Sequence, residues 1–387
     1  MLQNRYERRR QASLVRKSRN NLTAKKRLFS SGFATSSVAA ALIFTGSQSV
    51  HAQVGPGDPL CVVEGAAVTC SGDLSTGVAV DGTPASTIDT LIIDAVTAPG
   101  ITPAVDQDGV SFTNNAGGNI TVNSTANIST QGATFSSGIA ASIFNDAGDI
   151  SITSTGEINT AGDDSDGIVA LIESAPTGTI EIDNAGTIDT VGVNGRGIDV
   201  LSRALLDADI TITNTGDITT LEGGDNYALG SRGISAVLYG GGAIDIINNG
   251  DLETSGQFSR AINAFTNGGT TAPITIENNG SIITSGDDAE GIQVFNYASG
   301  TAAITNTASL STNGSEASAI QVNKGVFSTS TIVPSAGDGD VIINNSGDIS
   351  TAGAFSRGID TRLINPGAAT TTIVNTGDIT TTGGGDQ

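Results

Sequence analysis

Apolar and polar residues alternate along most of this chain, and the alternation recurs about every 30 residues. One copy, residues 210–220, reads ITITNTGDITT. Successive side chains of a strand point to opposite faces, so the Ile, Asn, Gly and last Thr positions share one face, while the remaining Thr and Asp positions face water. The period of two predicts strands and argues against helices.

Nine copies can be aligned on a small anchor residue, at Ala126, Gly156, Gly186, Gly216, Gly250, Gly280, Ala308, Gly347 and Gly377. Ile or Val stands four residues before each anchor, Asn stands two before it in seven copies, and Thr stands four after it in all nine. We expect the isoleucines to form a dry core, among them Ile152, Ile182, Ile212, Ile246 and Ile276. We also expect the anchor glycine to permit a tight corner, and the Asn to form an inward ladder of amides.

A further strand begins later in each copy, at pairs such as Gly167-Ile168 and Gly291-Ile292. Three strands per unit predict an all-β fold, a three-sided parallel β-solenoid (β-helix) of about nine to ten coils of ~30 residues. At the usual strand spacing the coils would stack into a rod about 45 Å long. Residues 87–94 and Gly109-Val110 are typical of degenerate first coils.

Residues 1–52 differ from the repeats and have the features of a secretory signal peptide. A basic region with Arg8-Arg9-Arg10 precedes an apolar run, Val38 to Phe44, and small and polar residues end at Ala52. The alternatives are a basic nucleic-acid arm and an amphipathic surface helix. No apolar run approaches the ~20 residues that span a bilayer, so we expect no transmembrane helix in the mature chain.

The segments predict four parts: the signal peptide (1–52), an N-terminal cap with a disulfide hairpin (53–85), the β-solenoid repeats (86–382) and a truncated tail (383–387). Cys61 and Cys70 flank a turn at Glu64-Gly65. Export to an oxidising compartment favours a disulfide between them, whereas free or metal-binding thiols are the alternative.

Charge and composition exclude several functions. From residue 53 onward the chain has seven Lys and Arg against 38 Asp and Glu, a formal net charge of −31. Such a surface repels phosphate backbones, so we expect no nucleic-acid partner. The only histidine, His51, lies in the leader, which leaves no imidazole for general-base chemistry or metal ligation. We expect no enzyme activity, no cofactor and no metal site.

One row of charged residues suggests a ligand. The residue before the third strand is Asp166, Arg196, Arg232, Arg260 and Glu290 in successive copies. Stacking would align the three arginines, either as a ligand-facing ladder for a polyanion or acidic sugar, or as a solvated ladder neutralised by loop acids such as Asp225. We favour the solvated ladder.

Two acid clusters, at residues 163–166 and 287–290, occupy equivalent loops four coils apart. The glycine-rich calcium nonapeptide is absent from the sequence, so we expect no specific calcium site. Clusters about 19 Å apart cannot act together as glycosidase carboxylates, although a pair within one loop stays open.

Three features of the sequence carry a resemblance to a known family: the long basic signal, the stretch from Cys61 to Cys70-Ser-Gly72 and the many copies of Asn-Thr-Gly-Asp-Ile-Thr-Thr. In these features the sequence resembles the passenger of a bacterial autotransporter, an adhesin-like β-helix repeat protein of type V secretion. The resemblance covers essentially the whole chain. It implies passage through the periplasm, followed by display at the cell surface or outer membrane, or by extracellular release. From its last residues we expect this chain to lack the C-terminal translocator barrel of that family. A truncated passenger, a gene fragment and export by a separate partner therefore stay open, and without a translocator the location would be periplasmic.

The leading hypothesis is an exported, surface-displayed or secreted solenoid with a structural or adhesin-like, non-catalytic role. Its partners would be the export machinery and an unknown surface, host or extracellular ligand. The alternative is a polysaccharide-acting lyase or hydrolase on a β-helix scaffold, which needs a local acid–base cluster. A third hypothesis, an ice- or surface-binding rod, is weaker because the fully repeated Thr has the inward parity.

Overall fold

The computed structural model describes residues 53–384, except 83–86, 116, 145, 174, 205, 207, 224–229, 267–270, 326–338 and 365–367. The predictions made for the leader, for His51, for Asp225 and for residues 385–387 lie outside the described residues.

Within the described ranges the chain forms strands and no helix. The strands are β1 (Cys61–Glu64), β2 (Ala67–Gly72), β3 (Val78–Gly82), β4 (Thr90–Val96), β5 (Val110–Asn114), β6 (Ile120–Ser124), β7 (Ile128–Thr134), β8 (Ile139–Phe144), β9 (Ile150–Ser154), β10 (Ile158–Asp163), β11 (Ile168–Glu173), β12 (Ile180–Asn184), β13 (Ile188–Val191), β14 (Arg196–Ser202), β15 (Ile210–Asn214), β16 (Ile218–Leu221), β17 (Arg232–Leu238), β18 (Ile244–Asn248), β19 (Leu252–Thr254), β20 (Arg260–Thr266), β21 (Ile274–Asn278), β22 (Ile282–Thr284), β23 (Ile292–Asn296), β24 (Ala302–Asn306), β25 (Leu310–Thr312), β26 (Ile320–Gly325), β27 (Val341–Asn345), β28 (Ile349–Thr351), β29 (Ile359–Ile364), β30 (Thr371–Asn375) and β31 (Ile379–Thr381).

These strands build three sheets, each visited once per coil. The first sheet has the order β1-β2-β4-β6-β9-β12-β15-β18-β21-β24-β27-β30, the second runs from β7 to β31, and the third runs from β3 to β29. Apart from the β1–β2 hairpin, all pairs are parallel, and equivalent residues of consecutive copies are register partners, such as Ile182 with Ile212. The predicted three-sided β-solenoid is confirmed, with about nine turns at ~30-residue spacing.

The N-terminal end of the solenoid is closed by the predicted hairpin. Strands β1 and β2 pair antiparallel with Cys61 opposite Cys70, and the two cysteines form a disulfide. Strand β2 then pairs in parallel with β4, and β3 with β5. Parallel pairing therefore already involves residues of the N-terminal cap, with Val54 opposite Val78 and Ala67 opposite Thr90.

Isoleucine columns fill the interior. The five isoleucines singled out from the sequence, from Ile152 to Ile276, are all buried, and each lies in register with the next along the first sheet. Matching columns run along the second sheet, from Ile128 to Ile349, and along the third, from Val110 to Ile320. Each buried isoleucine contributes about 2 kcal/mol of hydrophobic transfer free energy, so the columns supply most of the driving force for stacking.

A ladder of asparagine amides runs beside these columns, as predicted. The Nδ2 of Asn214 donates to Oδ1 of Asn248 at 2.9 Å, and Asn248 donates to Asn278 at 2.8 Å. The same nitrogen of each Asn also donates to the carbonyl of its own anchor residue, as Asn248 does to Gly250 at 2.7 Å. The ladder extends from Asn184 to Asn375, so these buried amides find their partners in neighbouring coils.

The inward threonines close the next corner. Thr254 Oγ1 donates to the carbonyl of Ser259 at 2.8 Å, and Thr284 donates to Ala289 at 2.7 Å. The hydroxyl thus satisfies a carbonyl where the chain leaves the second sheet. This corner bond is made by Thr130, Thr160, Thr254, Thr284 and Thr312, and it favours Thr at this position of the repeat.

The anchor glycines have a different role from the one expected. None of them adopts a left-handed φ. A Cβ built on Gly216 would lie 2.0 Å from the carbonyl oxygen of Gly186, and one on Gly250 would lie 2.0 Å from that of Gly216. Glycine is favoured here because consecutive coils approach each other closely, and not because the corner needs a special backbone conformation.

Carboxylates and amides join the coils at the corners. Asp217 Oδ1 accepts from the backbone N–H of Asp251 at 2.9 Å, and Asp251 accepts from Ser281 at 2.8 Å, one coil further on. The same inter-coil bond recurs from Asp149 to Thr179, Asp163 to Val193, Asp209 to Ala243, Asp287 to Ser315, Asp340 to Thr370 and Asp348 to Asp378. Many of the acids that make the chain so negative therefore serve to bind backbone N–H groups.

The asparagine ladder yields the first prediction. Replacing Asn248 by Ala removes three buried hydrogen bonds and leaves groups of Asn214 and Asn278 without partners, so the variant should lose about 3 kcal/mol of unfolding free energy. Denaturant unfolding monitored by circular dichroism measures the loss. The matched control is Asn249→Ala, one residue along on the exposed face, which should change stability by less than about 0.5 kcal/mol. Equal effects of the two substitutions would show that the ladder adds nothing.

Candidate functional site

The outer face of the third sheet differs from the other two outer faces. On the first two sheets the outward residues are mostly Thr, Ser, Asp, Asn and Glu, and they are half-buried or exposed. On the third sheet, by contrast, every residue of β20 and β23 is buried, including the outward ones. Outward side chains here include Phe265, Phe295 and Asn263. We take the outer face of the third sheet, together with the corner that precedes it, as the candidate site.

Cations and aromatic rings are concentrated on this side of the solenoid. Each Lys and Arg after residue 52 lies on a third-sheet strand or within two residues of one: Arg196, Arg203, Arg232, Arg260, Lys324, Arg357 and Arg362. The aromatic residues of the described ranges lie on the same sheet, at the corner leading into it or directly after one of its strands: Phe112, Phe135, Phe144, Tyr239, Phe258, Phe265, Phe295, Tyr297 and Phe355. The sequence analysis did not predict this segregation. It could have been found by comparing the positions of the cations and aromatic residues within each repeat.

The predicted arginine row exists, and two of its three side chains are enclosed. Arg196 pairs in register with Arg232, and Arg232 with Arg260. Arg232 and Arg260 are buried, so neither the ligand-facing nor the solvated ladder describes them correctly. Parity places these residues at the corner of the coil, but it does not reveal that their side chains are enclosed.

Arg260 has a buried carboxylate partner. Its Nε lies 2.7 Å from Oε2 of Glu290, with 0% and 3% of the two side chains exposed. Glu290 occupies the equivalent position one coil further on, since its carbonyl accepts from the N–H of Ala261. Two charges removed from water hold each other in place, so this pair fixes the corner between the second and third sheets.

Removing one member of this pair should be costly. Glu290→Gln leaves the Arg260 guanidinium charged and buried without its carboxylate, and we expect a loss of about 3 kcal/mol in unfolding free energy. The control is the double variant Arg260→Met with Glu290→Leu, which removes both charges and should recover most of the loss. Denaturant unfolding compares the three proteins. A single variant as stable as the parent would contradict a structural role for the pair.

The two acid clusters occupy equivalent corners, as predicted. Asp164 and Asp288 both adopt a left-handed backbone with φ of 53°, a conformation that Asp tolerates better than most residues. Burial, together with Asp199, raises the pKa of Asp166, and Arg196 partly offsets that rise. Asp166 also accepts from the backbone N–H of Arg196 at 2.8 Å, and Arg196 forms an ion pair with Asp199. Both carboxylates are thus bound by Arg196, Asp166 by its backbone N–H and Asp199 by its guanidinium.

In the second cluster, burial and the neighbouring acids Glu290 and Glu316 raise the pKa of Asp288 to about 6. A carboxyl whose pKa is higher in the folded state contributes stability below its unfolded value of 3.8. That contribution is lost as pH rises through about 6.

Asp288→Asn should therefore flatten this part of the pH dependence. We expect the variant to gain about 1 kcal/mol of unfolding free energy at pH 7.5 relative to the parent, and little at pH 4, because solvent screens part of the repulsion. Urea unfolding at the two pH values measures the difference. Asp189→Asn, on the exposed face of the second sheet, is the control and should show no such dependence. An equal gain at both pH values would contradict the proposed titration.

A stacked group of planar side chains lies at the edge of the third sheet. Arg203 Nη1 donates to both carboxylate oxygens of Glu173, at 2.9 and 2.7 Å, and the guanidinium carbon lies 5.7 Å from the ring centroid of Tyr239. Each of these three residues lies at the end of a third-sheet strand in successive coils. Two positions before each of them stands an outward aliphatic residue. These aliphatic residues, Leu171, Leu201 and Val237, are register partners of one another along the sheet. All six side chains are half-buried.

Aromatic rings continue this arrangement further along the axis. Tyr239 and Phe265 have ring centroids 5.8 Å apart, Phe265 and Tyr297 also 5.8 Å, and Phe295 and Tyr297 6.0 Å. Such tilted and edge-to-face contacts each contribute about 1 kcal/mol beyond area burial. Outside the solenoid core, the described residues form one further hydrophobic cluster, and it consists of these rings.

Lys324 points into the solenoid. It is the register partner of Asn296 and is almost fully buried, and its Nζ donates to the carbonyls of Ala298, at 3.0 Å, and Gly300. Burial lowers the pKa of Lys324 to about 8, with a smaller opposing effect of Asp340. The inward parity of Lys324 after Ile320 and Val322 was visible in the sequence, but it was not used.

The described part of the chain contains neither a cluster of metal ligands nor a membrane-spanning helix. No group of three or more His, Cys, Asp and Glu side chains there is placed to hold a metal ion. None of the structure described forms a helix with the length and hydropathy needed to cross a membrane. Comparison with known proteins does not place the chain in a family, since no protein-family model, curated protein or solved structure matches it.

Proposed function

We propose that this protein is exported and acts outside the inner membrane as a non-catalytic β-solenoid that presents a binding face on its third sheet. The observation that carries the proposal is the segregation of side chains: the outward residues of two sheets are mostly small polar and acidic ones, while the cations and aromatic rings are concentrated on the third, where Arg203 and Tyr239 are only half-buried. Tyr, Trp, Phe and Arg are the side chains that contribute most to binding at protein surfaces.

Export is supported by the covalent chemistry of the cap. The Cys61–Cys70 disulfide closes the hairpin at the N-terminal end, and such bonds persist in oxidising compartments. Together with the basic leader at 1–52, this bond favours the autotransporter-passenger or adhesin-like role that the sequence resembles. A rod whose inner columns depend only on neighbouring coils can place a binding face far from its anchorage.

The export proposal predicts the fate of the two cysteines. In a Gram-negative host, the full chain should be recovered from the periplasm or medium in a shortened form, with Cys61 and Cys70 resistant to alkylation until reduced. Deletion of residues 2–52 should leave the protein in the cytoplasm with both thiols reactive. Cell fractionation measures the location of each protein, and mass spectrometry measures its length and the alkylation of the two cysteines.

Cys61→Ser with Cys70→Ser is the control for this experiment, because it should change the thiol readout and not the location. A full chain that stays in the cytoplasm with free thiols would contradict the proposal.

A second candidate function, action on an acidic polysaccharide, is favoured by one specific feature. Asp166 combines a raised pKa with a nearby arginine and a second carboxylate, Asp199, as an acid–base site requires. Against it, Arg196 is already engaged by these same carboxylates. Incubation of the exported protein with polygalacturonate should release no new reducing ends and no unsaturated products. Release that is abolished by Asp166→Asn would favour this second candidate instead.

A further inference from the structure

The hypothesis of an acidic-sugar site was based on Arg196, Arg232 and Arg260, which precede or begin the third-sheet strands. Arg203 lies at the opposite end of strand β14, directly after its last residue. Arg203 is half-buried, with 23% of its side chain exposed, and lies beside the outward aliphatic rank. Sequence reasoning overlooked it because Arg203 follows the third strand, whereas the charged row precedes it.

The guanidinium of Arg203 is held from two sides. Both described hydrogen bonds use Nη1, which donates to Glu173 in the preceding coil. The ring of Tyr239 lies against it from the following coil. The described contacts place no acceptor on Nε or Nη2, so these two N–H groups form a free, pre-positioned edge. That edge of a guanidinium matches the two oxygens of a carboxylate.

The residues around this guanidinium edge indicate which chemical group the ligand carries next to its carboxylate. Leu171, Leu201 and Val237 form a flat aliphatic rank two residues away from Glu173, Arg203 and Tyr239 in each coil. A flat apolar surface beside a tyrosine ring suits the C–H face of a pyranose ring, and the Glu173 carboxylate can accept hydrogen bonds from sugar hydroxyls. A carboxylate and a sugar ring on the same molecule describe a uronic acid.

Overall charge restricts the ligand further. Residues 53–387 carry a formal charge of −31, and Arg203 is already neutralised by Glu173. A long polyanion would therefore be repelled by the chain as a whole, whereas a single carboxylate needs only the local guanidinium edge. Resting on the proposed function, we propose that Arg203, Glu173 and Tyr239 form a binding site for a single carboxylate-bearing sugar, such as a terminal uronic acid on an otherwise neutral glycan.

Titration of the exported protein with D-glucuronate, followed by NMR or calorimetry, tests the site. We expect D-glucuronate to bind at least tenfold more tightly than D-glucose, which lacks the carboxylate, and than acetate, which lacks the ring. At low ionic strength polygalacturonate, counted per sugar unit, should bind no better than the monomer. Glucuronate that binds no better than acetate, or tighter binding of the polymer, would overturn the proposal.

Variants separate the site from general charge effects. Arg203→Lys keeps the charge and loses the two-donor edge, and should weaken glucuronate binding about tenfold. Tyr239→Ala should weaken it similarly, while Tyr239→Phe keeps the ring and should restore it. Arg362→Lys, at an exposed arginine of the same sheet bonded to Asp360, is the matched control and should bind like the parent.

Unfolding midpoints show whether each variant is folded. Folded Arg203→Lys and Tyr239→Ala proteins that both bind glucuronate normally would refute the site. An exported rod that fails to bind glucuronate would overturn this inference alone, because export and thiol oxidation are measured separately.

Discussion

Each coil of this protein depends on its neighbours, because its isoleucine face becomes dry only when the next coil stacks on it in register. The same dependence holds for the polar groups inside: Asn214 and Asn278 both need the amide of Asn248. A shift by one residue would turn the outward Thr and Asp positions into the core and move every isoleucine into water. The register is therefore fixed by hydrophobic burial and by the amide ladder together.

The corners between sheets have a separate constraint. The regular hydrogen bonds of the sheets are interrupted at the corners, yet consecutive coils still approach each other closely there. Glycine at the anchor lets the carbonyl of the preceding coil come near, and Asp side chains accept the backbone N–H of the following coil. The corner before the third sheet also places one non-glycine residue per coil in the left-handed region, including Phe258 and Phe355 with φ of 64° and 59°. For a bulky residue this conformation costs about 1–2 kcal/mol, which only a well-packed stack can sustain.

The inner half of this structure follows from the sequence, whereas the outer half follows only in part. Period-two alternation at 30-residue spacing was enough to predict the isoleucine columns and the asparagine ladder, and two cysteines around the Glu64-Gly65 turn were enough to predict the hairpin. The same parity argument placed Arg232 and Arg260 correctly in a row, yet gave the wrong environment, because burial of an outward residue depends on what lies over the sheet. Arg203 was missed because its partners, Glu173 and Tyr239, are 30 or more residues away in sequence and become neighbours only through stacking.

This separation of inner and outer positions explains how one sheet can differ from the others without disturbing the fold. The columns and the ladder use only inward side chains, so an outward residue that makes no bond to a neighbouring coil can change with little effect on stacking. The outward positions of the first two sheets hold mostly Thr, Ser and Asp, and those of the third hold residues such as Leu201, Arg203 and Tyr239. Because a solenoid brings equivalent positions together every coil, three substitutions spaced about 30 residues apart suffice to assemble Glu173, Arg203 and Tyr239 into one surface. Recognition by that surface is therefore separable from stability.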